Sequence, residues 1–64
     1  MKNSIKAKRK ILGISQTALA VKAGISRTAL VAIEKGITMP KGETMLKLAR
    51  ALNCNVESLF IQDN

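Results

Sequence analysis

The sequence predicts an all-α fold, a compact five-helix domain that takes up all of residues 1–64. Three observations predict it. β-Branched residues never alternate with polar ones over the length of a strand. Glycine and proline divide the chain into short pieces, with breaks at Gly13, Gly24, Gly36 and Pro40. Within the pieces, apolar residues recur at the three- and four-residue spacing of a helix that buries one face.

The first three helices are predicted over residues 4–12, 16–23 and 27–35. Ser15 and Ser26 are suited to cap the second and third helices, and Gly24 tolerates the left-handed turn between them. The residues expected to face the core are Ile5, Arg9 and Leu12, then Leu19, Ala20 and Ala23, then Ile25, and finally Leu30, Ile33 and Glu34.

A fourth helix is predicted over residues 43–52, after Pro40 has prevented the third from continuing. Asn53 is suited to a left-handed cap, and Asn55 to the N-cap of a short fifth helix. Cys54 is interpreted as a small buried hydrophobic residue, with a reactive thiol as the alternative. The inward residues are Met45, Leu48, Ala49 and Leu52, followed by Val56, Leu59 and Phe60.

Two residues of opposite charge interrupt these apolar stripes. Arg9 lies on the stripe of the first helix and Glu34 on that of the third. A charge on a buried face needs a partner. We therefore expect an ion pair between Arg9 and Glu34, the alternative being two unrelated exposed charges.

The net charge of +7 lies entirely in the first half of the chain. Residues 1–33 hold seven basic residues and no acidic one, whereas residues 34–64 hold four of each. One-sided positive charge is expected of a protein that faces a polyanion, although a solvated basic surface that favours solubility is the alternative. With Phe60 as the only aromatic residue, duplex DNA is a better candidate than single-stranded nucleic acid, which usually stacks on aromatic rings.

The residue types that are absent argue against other functions. The chain has no histidine and one cysteine, so it offers no set of zinc ligands and no His-activated nucleophile. No enzyme activity, cofactor or metal is therefore expected. No apolar run is long enough to span a membrane, and a single cysteine without an internal disulfide suits the cytoplasm.

Residues 16–35 combine two short helices with a tight turn and small residues, Ala20 and Gly24, where the helices cross. This is the requirement of a helix-turn-helix, in which the second helix enters the major groove. An ordinary helical hairpin is the alternative.

From about residue 5 to residue 61, the chain closely resembles the Cro/C1-type (XRE-like) helix-turn-helix family of phage repressors and small bacterial regulators. Any one matching feature is weak, but the ordered set is specific. The matches are Gln16, Leu19-Ala20, Gly24-Ile25-Ser26-Arg27, Ile33-Glu34-Lys35-Gly36, Pro40, Leu48-Ala49, Ala51-Leu52 and Leu59-Phe60.

The resemblance implies a lambda-repressor-like DNA-binding fold that acts as a homodimer on a palindromic operator in double-stranded DNA. It implies that Gln16 meets a phosphate and that the third helix reads bases through Ser26, Arg27, Thr28, Val31 and Ala32. The family's arginine–glutamate pair corresponds to Arg9 and Glu34. Lys41 and Gly42 stand where relatives often have a capping Ser or Thr, so without that cap the fourth helix is expected either to start loosely or to turn its backbone amides towards a phosphate.

Side-chain chemistry assigns the remaining roles. Arg27 can donate two hydrogen bonds to guanine, or else bind a phosphate, while Val31 and Ala32 can contact only a thymine methyl. The expected phosphate contacts are Lys35 and Lys41, with Lys6 and Lys10 as additions that solvent exposure explains equally well. The expected dimer contact is Leu59, Phe60 and Ile61.

The sequence therefore predicts a cytoplasmic, bacterial or phage-encoded repressor, and no small-molecule effector is expected because 64 residues leave no room for an inducer domain. The main rival is a protein-interaction module, antitoxin- or anti-repressor-like, that uses the same fold to bind an acidic protein. A weaker rival is an architectural protein that binds all duplexes equally.

Overall fold

The computed structural model describes residues 3–60, and the regular structure in that range consists of five α-helices without a strand. The all-α prediction is confirmed, and the predicted bounds of the first four helices lie within one residue of those observed. None of these helices has the length and apolar character needed to cross a membrane. The helices are α1 (Ile5–Leu12), α2 (Gln16–Ala23), α3 (Arg27–Glu34), α4 (Gly42–Ala51) and α5 (Val56–Phe60).

Three helices begin at the side-chain caps that the sequence predicts. The Oγ atoms of Ser15 and Ser26 each accept a hydrogen bond at 3.0 Å from the backbone N–H three residues further on. Asn55 does the same through Oδ1 at 3.1 Å. Each cap stabilises its helix by about 1 kcal/mol. Lys41, by contrast, precedes α4 without a side-chain cap, as its sequence predicts.

Left-handed backbone follows each of the first four helices, at Gly13, Gly24, Gly36 and Asn53. Gly24 after α2 and Asn53 after α4 have φ angles of 71° and 55°. Beyond Gly24, the N–H of Ile25 donates to the carbonyl of Ala20 at 3.0 Å, which closes the end of α2 and turns the chain towards α3. This turn sets the angle between the two helices of the motif.

The core takes one fully buried large side chain from each helix. These five are Ile5, Leu19, Leu30, Leu48 and Leu59, all with 0% of their surface exposed. Small residues such as Ala20, Ala23 and Ala49 lie between them and allow the helices to approach closely. Burial of this apolar surface is the main force that holds five short helices together.

Three core predictions need correction. Met45 is predicted to face the core, but it is half-buried and is not among the residues that pack against the core. Leu12 is also predicted to face the core but is 49% exposed. The chain leaves α1 at Gly13, and Ile14 packs against the core instead. Cys54 is half-buried against the core rather than fully enclosed.

A buried ion pair joins α1 to α3. The Nε atom of Arg9 lies 2.9 Å from Oε2 of Glu34, and the two side chains are only 10% and 4% exposed. Arg9 also donates to the carbonyl of Ile14 at 3.1 Å, and the side-chain amide of Gln16 donates to Oε1 of Glu34 at 3.0 Å. One carboxylate therefore connects the start of α2, the middle of α1 and the end of α3.

Replacing Glu34 by Ala is expected to lower the free energy of unfolding by about 3 kcal/mol, because it leaves the Arg9 guanidinium buried without its counter-charge. The measurement is urea denaturation followed by circular dichroism. Glu43→Ala is the matched control, since Glu43 is 84% exposed and pairs with Lys47 only at 3.6 Å. The control should change stability by less than about 0.5 kcal/mol. Equal losses in the two variants would contradict a structural role for the buried pair.

Candidate nucleic-acid interface

The first turn of α3 presents an open concavity of about 460 Å³ lined by Arg27, Thr28 and Val31. Arg27 and Thr28 are exposed, and Val31 is half-buried. The surface thus carries the guanidinium group of Arg27, the hydroxyl and methyl groups of Thr28, and the apolar side chain of Val31, all within about one helical turn. Ala32 lies half-buried next to Val31 and adds no polar group. Three of the five predicted base-reading residues therefore share one surface.

Ser26 caps α3, as the sequence predicts, and the base-reading role that the family resemblance implies for it stays a prediction. Its Oγ accepts the hydrogen bond from the Ala29 N–H that caps α3. This bond uses one of the two lone pairs of the hydroxyl oxygen, so the O–H group and the second lone pair remain for a contact with DNA. The cap fixes the start of the helix that carries Arg27.

Gln16 is likewise engaged within the protein. Its Nε2 donates to Glu34, a contact that sequence reasoning missed because periodicity along one helix gives no distance to another. A primary amide has two N–H bonds, so the second remains available for a phosphate. The backbone N–H of Gln16, the first residue of α2, is also available because the amides of the first turn lack partners within the helix.

The predicted phosphate-binding lysines are all exposed. Lys35 follows α3 directly and Lys41 precedes α4, while Lys6 and Lys10 lie one turn apart on α1. Within residues 3–60, none of these four ammonium groups takes part in an ion pair. These four positive charges are thus available to a polyanion, and two of them, Lys6 and Lys10, belong to the first half of the sequence, where the net charge lies.

The predicted dimer contact is wrong for Leu59. Its side chain is 0% exposed and belongs to the core, because a five-residue helix needs that leucine to dock on α4. Phe60 is half-buried and also packs against the core. Ile61 lies outside the described residues.

A sequence model of the Helix-turn-helix family matches residues 5–59. The match covers α1 to α4 and all of α5 except its last residue. The chain belongs to the Cro/C1-type helix-turn-helix family. Members of this family are DNA-binding domains of transcriptional regulators and not enzymes, so the chain is a DNA-binding transcriptional regulator of repressor-like type.

Named relatives include an uncharacterised helix-turn-helix regulator of the archaeon Methanocaldococcus jannaschii, which is 36% identical over 64 residues covering 100% of this chain and 97% of the relative. Repressor protein C2 of Salmonella phage P22 is 40% identical over 98% of this chain, which spans only 29% of that repressor.

The crystal structure of the P22 c2 repressor in complex with a synthetic operator has the same fold as this Cro/C1-type domain. It superposes with a TM-score of 0.85 at 41% identity, covering 92% of this chain and 89% of the repressor chain. The similarity confirms the predicted lambda-repressor-like arrangement of helices.

We expect Ser26→Ala to destabilise the domain by about 1 kcal/mol, because the cap of α3 is lost. Thr28→Ala is the control, since Thr28 is exposed and caps nothing. Thermal unfolding of the two variants measures the difference. If Ser26→Ala left the melting temperature at the level of Thr28→Ala, the assignment of Ser26 as a structural cap would be incorrect.

Proposed function

We propose that this Cro/C1-type domain is a homodimeric repressor that reads a palindromic operator by placing α3 in the major groove. The observation that carries the proposal is the open surface of Arg27, Thr28 and Val31 at the start of α3, a helix whose Leu30 and Ile33 are buried in the core. Major-groove recognition requires a helix that is held by its core-facing residues and that exposes polar side chains at its N-terminal turn.

Arg27 is assigned to guanine. A guanidinium can donate two hydrogen bonds, to O6 and N7 of guanine, and such a pair discriminates by about 1–3 kcal/mol. Arg27 is exposed and has no ion pair among residues 3–60, so its guanidinium group is available to bind guanine. Val31 and Ala32 offer apolar contact to a thymine methyl, and Thr28 offers either its methyl or its hydroxyl.

Phosphate contacts are assigned to the starts of two helices and to the nearby lysines. The uncapped first turn of α4, next to Lys41, and the first turn of α2, at Gln16, have backbone N–H groups that can meet phosphates. Lys35 adds charge at the end of α3, and Lys6 and Lys10 add charge on α1. These contacts position the domain without specifying sequence.

Dimerisation follows from the amount of sequence that one helix can read. A single α3 contacts only a few base pairs, whereas two copies related by two-fold symmetry double the site. The repressor of phage P22 crystallised with its operator is similar over nearly the whole of this chain, which supports the DNA-bound use of the fold. We assign the contact between copies to the end of α5, where Phe60 remains half-buried.

The test is selection from a random duplex library at about 0.15 M salt, followed by binding to the recovered site over a salt series. The proposal predicts a palindrome whose half-sites lie one helical turn apart, about 34–36 Å, bound with a steep salt dependence. Binding without an enriched sequence would instead indicate an architectural protein. Absence of binding to any duplex would contradict the proposal and favour the protein-interaction module.

A further inference from the structure

A second concave surface lies between α2 and α4. It has a volume of about 310 Å³ and is lined by Lys22, Lys47 and Arg50, with Ala23 and Ala51. The two alanines are 5% and 6% exposed and belong to the core, so the floor is rigid and small. This basic groove shares no residue with the concavity at the start of α3.

The basic groove is short of negative charge. Lys22 and Arg50 make no ion pair within residues 3–60. Lys47 is paired with Glu43 at 3.6 Å, but that carboxylate is 84% exposed and the contact is a weak surface pair. Three cations around a fixed alanine floor therefore have at most one weak counter-charge.

The position of the groove separates it from DNA in the proposed complex. Gln16 and Lys41 are assigned to the phosphate backbone, at the starts of α2 and α4. Lys22 follows Gln16 by six residues and Arg50 follows Gly42 by eight, which places them about 9 Å and about 12 Å further along their helix axes. The groove is therefore at the ends of α2 and α4 that point away from the duplex.

We propose that the basic groove binds an acidic segment of a partner protein while α3 is on DNA, an inference that rests on the proposed function. Arg50 can hold a carboxylate with two hydrogen bonds, and Lys22 and Lys47 add point charges. The volume is that of a small pocket, so it admits a few side chains but not the width of a duplex. The alanine floor lets the backbone of such a segment approach closely.

The probe is a short oligoglutamate peptide, titrated into the isotope-labelled domain and followed by amide chemical shifts. The expected shifts centre on Lys22, Lys47 and Arg50. The triple variant Lys22→Gln, Lys47→Gln and Arg50→Gln should weaken peptide binding about tenfold, the sum of three exposed charge pairs. It should keep its affinity for the selected operator, and the peptide should bind equally well to the operator-bound domain.

The matched control for peptide binding is the triple variant Lys6→Gln, Lys8→Gln and Lys10→Gln, which removes the same charge from α1. It should lose no more than about twofold in peptide affinity, through net charge alone. Equal losses in the two triple variants would overturn the proposal, as would displacement of the peptide by operator. If the triple variant of the basic groove lost affinity for the operator, we would infer that the groove binds duplex DNA and not a protein.

The two proposals can fail separately. The chemical-shift titration and the peptide affinities of the two triple variants require no operator. They therefore test the groove even if the selection recovers no DNA site. Recovery of an operator together with peptide shifts on α3 alone would retain the proposed function and reject the groove.

Discussion

The buried carboxylate of Glu34 is the constraint on which the arrangement of the first three helices depends. It accepts hydrogen bonds from Arg9 on α1 and from Gln16 on α2, while its own backbone ends α3. Helices of eight residues are too short to persist alone in water. Apolar burial brings them together without setting direction, whereas hydrogen bonds to one buried anion have fixed geometry. Arg9 extends the same network to the loop at Ile14.

This arrangement divides α3 into two faces with different functions. Leu30, Ile33 and Glu34 are held by the core and the ion pair. Arg27, Thr28 and Val31 line the open concavity at the start of the same eight-residue helix. Because the inner face is fixed at both ends, by the Ser26 cap and by Glu34, the outer face is preorganised before it meets DNA. Preorganisation reduces the entropy lost on binding and so favours specific recognition.

Much of this could be predicted from the sequence because local rules decide it. Capping serines, turn glycines and the apolar stripes gave the helix bounds, and opposite charges on two core-facing stripes predicted the Arg9–Glu34 pair. What failed depended on how separate helices meet. The spacing that places Leu12 inward does not show that Ile14 takes its place, and the assignment of Leu59 to the dimer contact fails because the core encloses its side chain. The Gln16–Glu34 hydrogen bond and the basic groove arise only when α2 packs against α3 and α4, and periodicity carries no such information.

The central claim is that Arg27 on a fixed α3 reads a guanine, and its most direct test is a double-mutant cycle between Arg27 and the N7 atom of that base. Replacing the half-site guanine by 7-deazaguanine removes one acceptor and leaves base pairing intact. When guanine is replaced by 7-deazaguanine, the wild-type domain should lose about tenfold in affinity for the operator. The Arg50→Ala control, which removes a positive charge elsewhere, should show the same loss. The affinity of Arg27→Ala should not change with the base replacement. An equal loss in all three proteins, or no loss at any half-site guanine, would contradict the account.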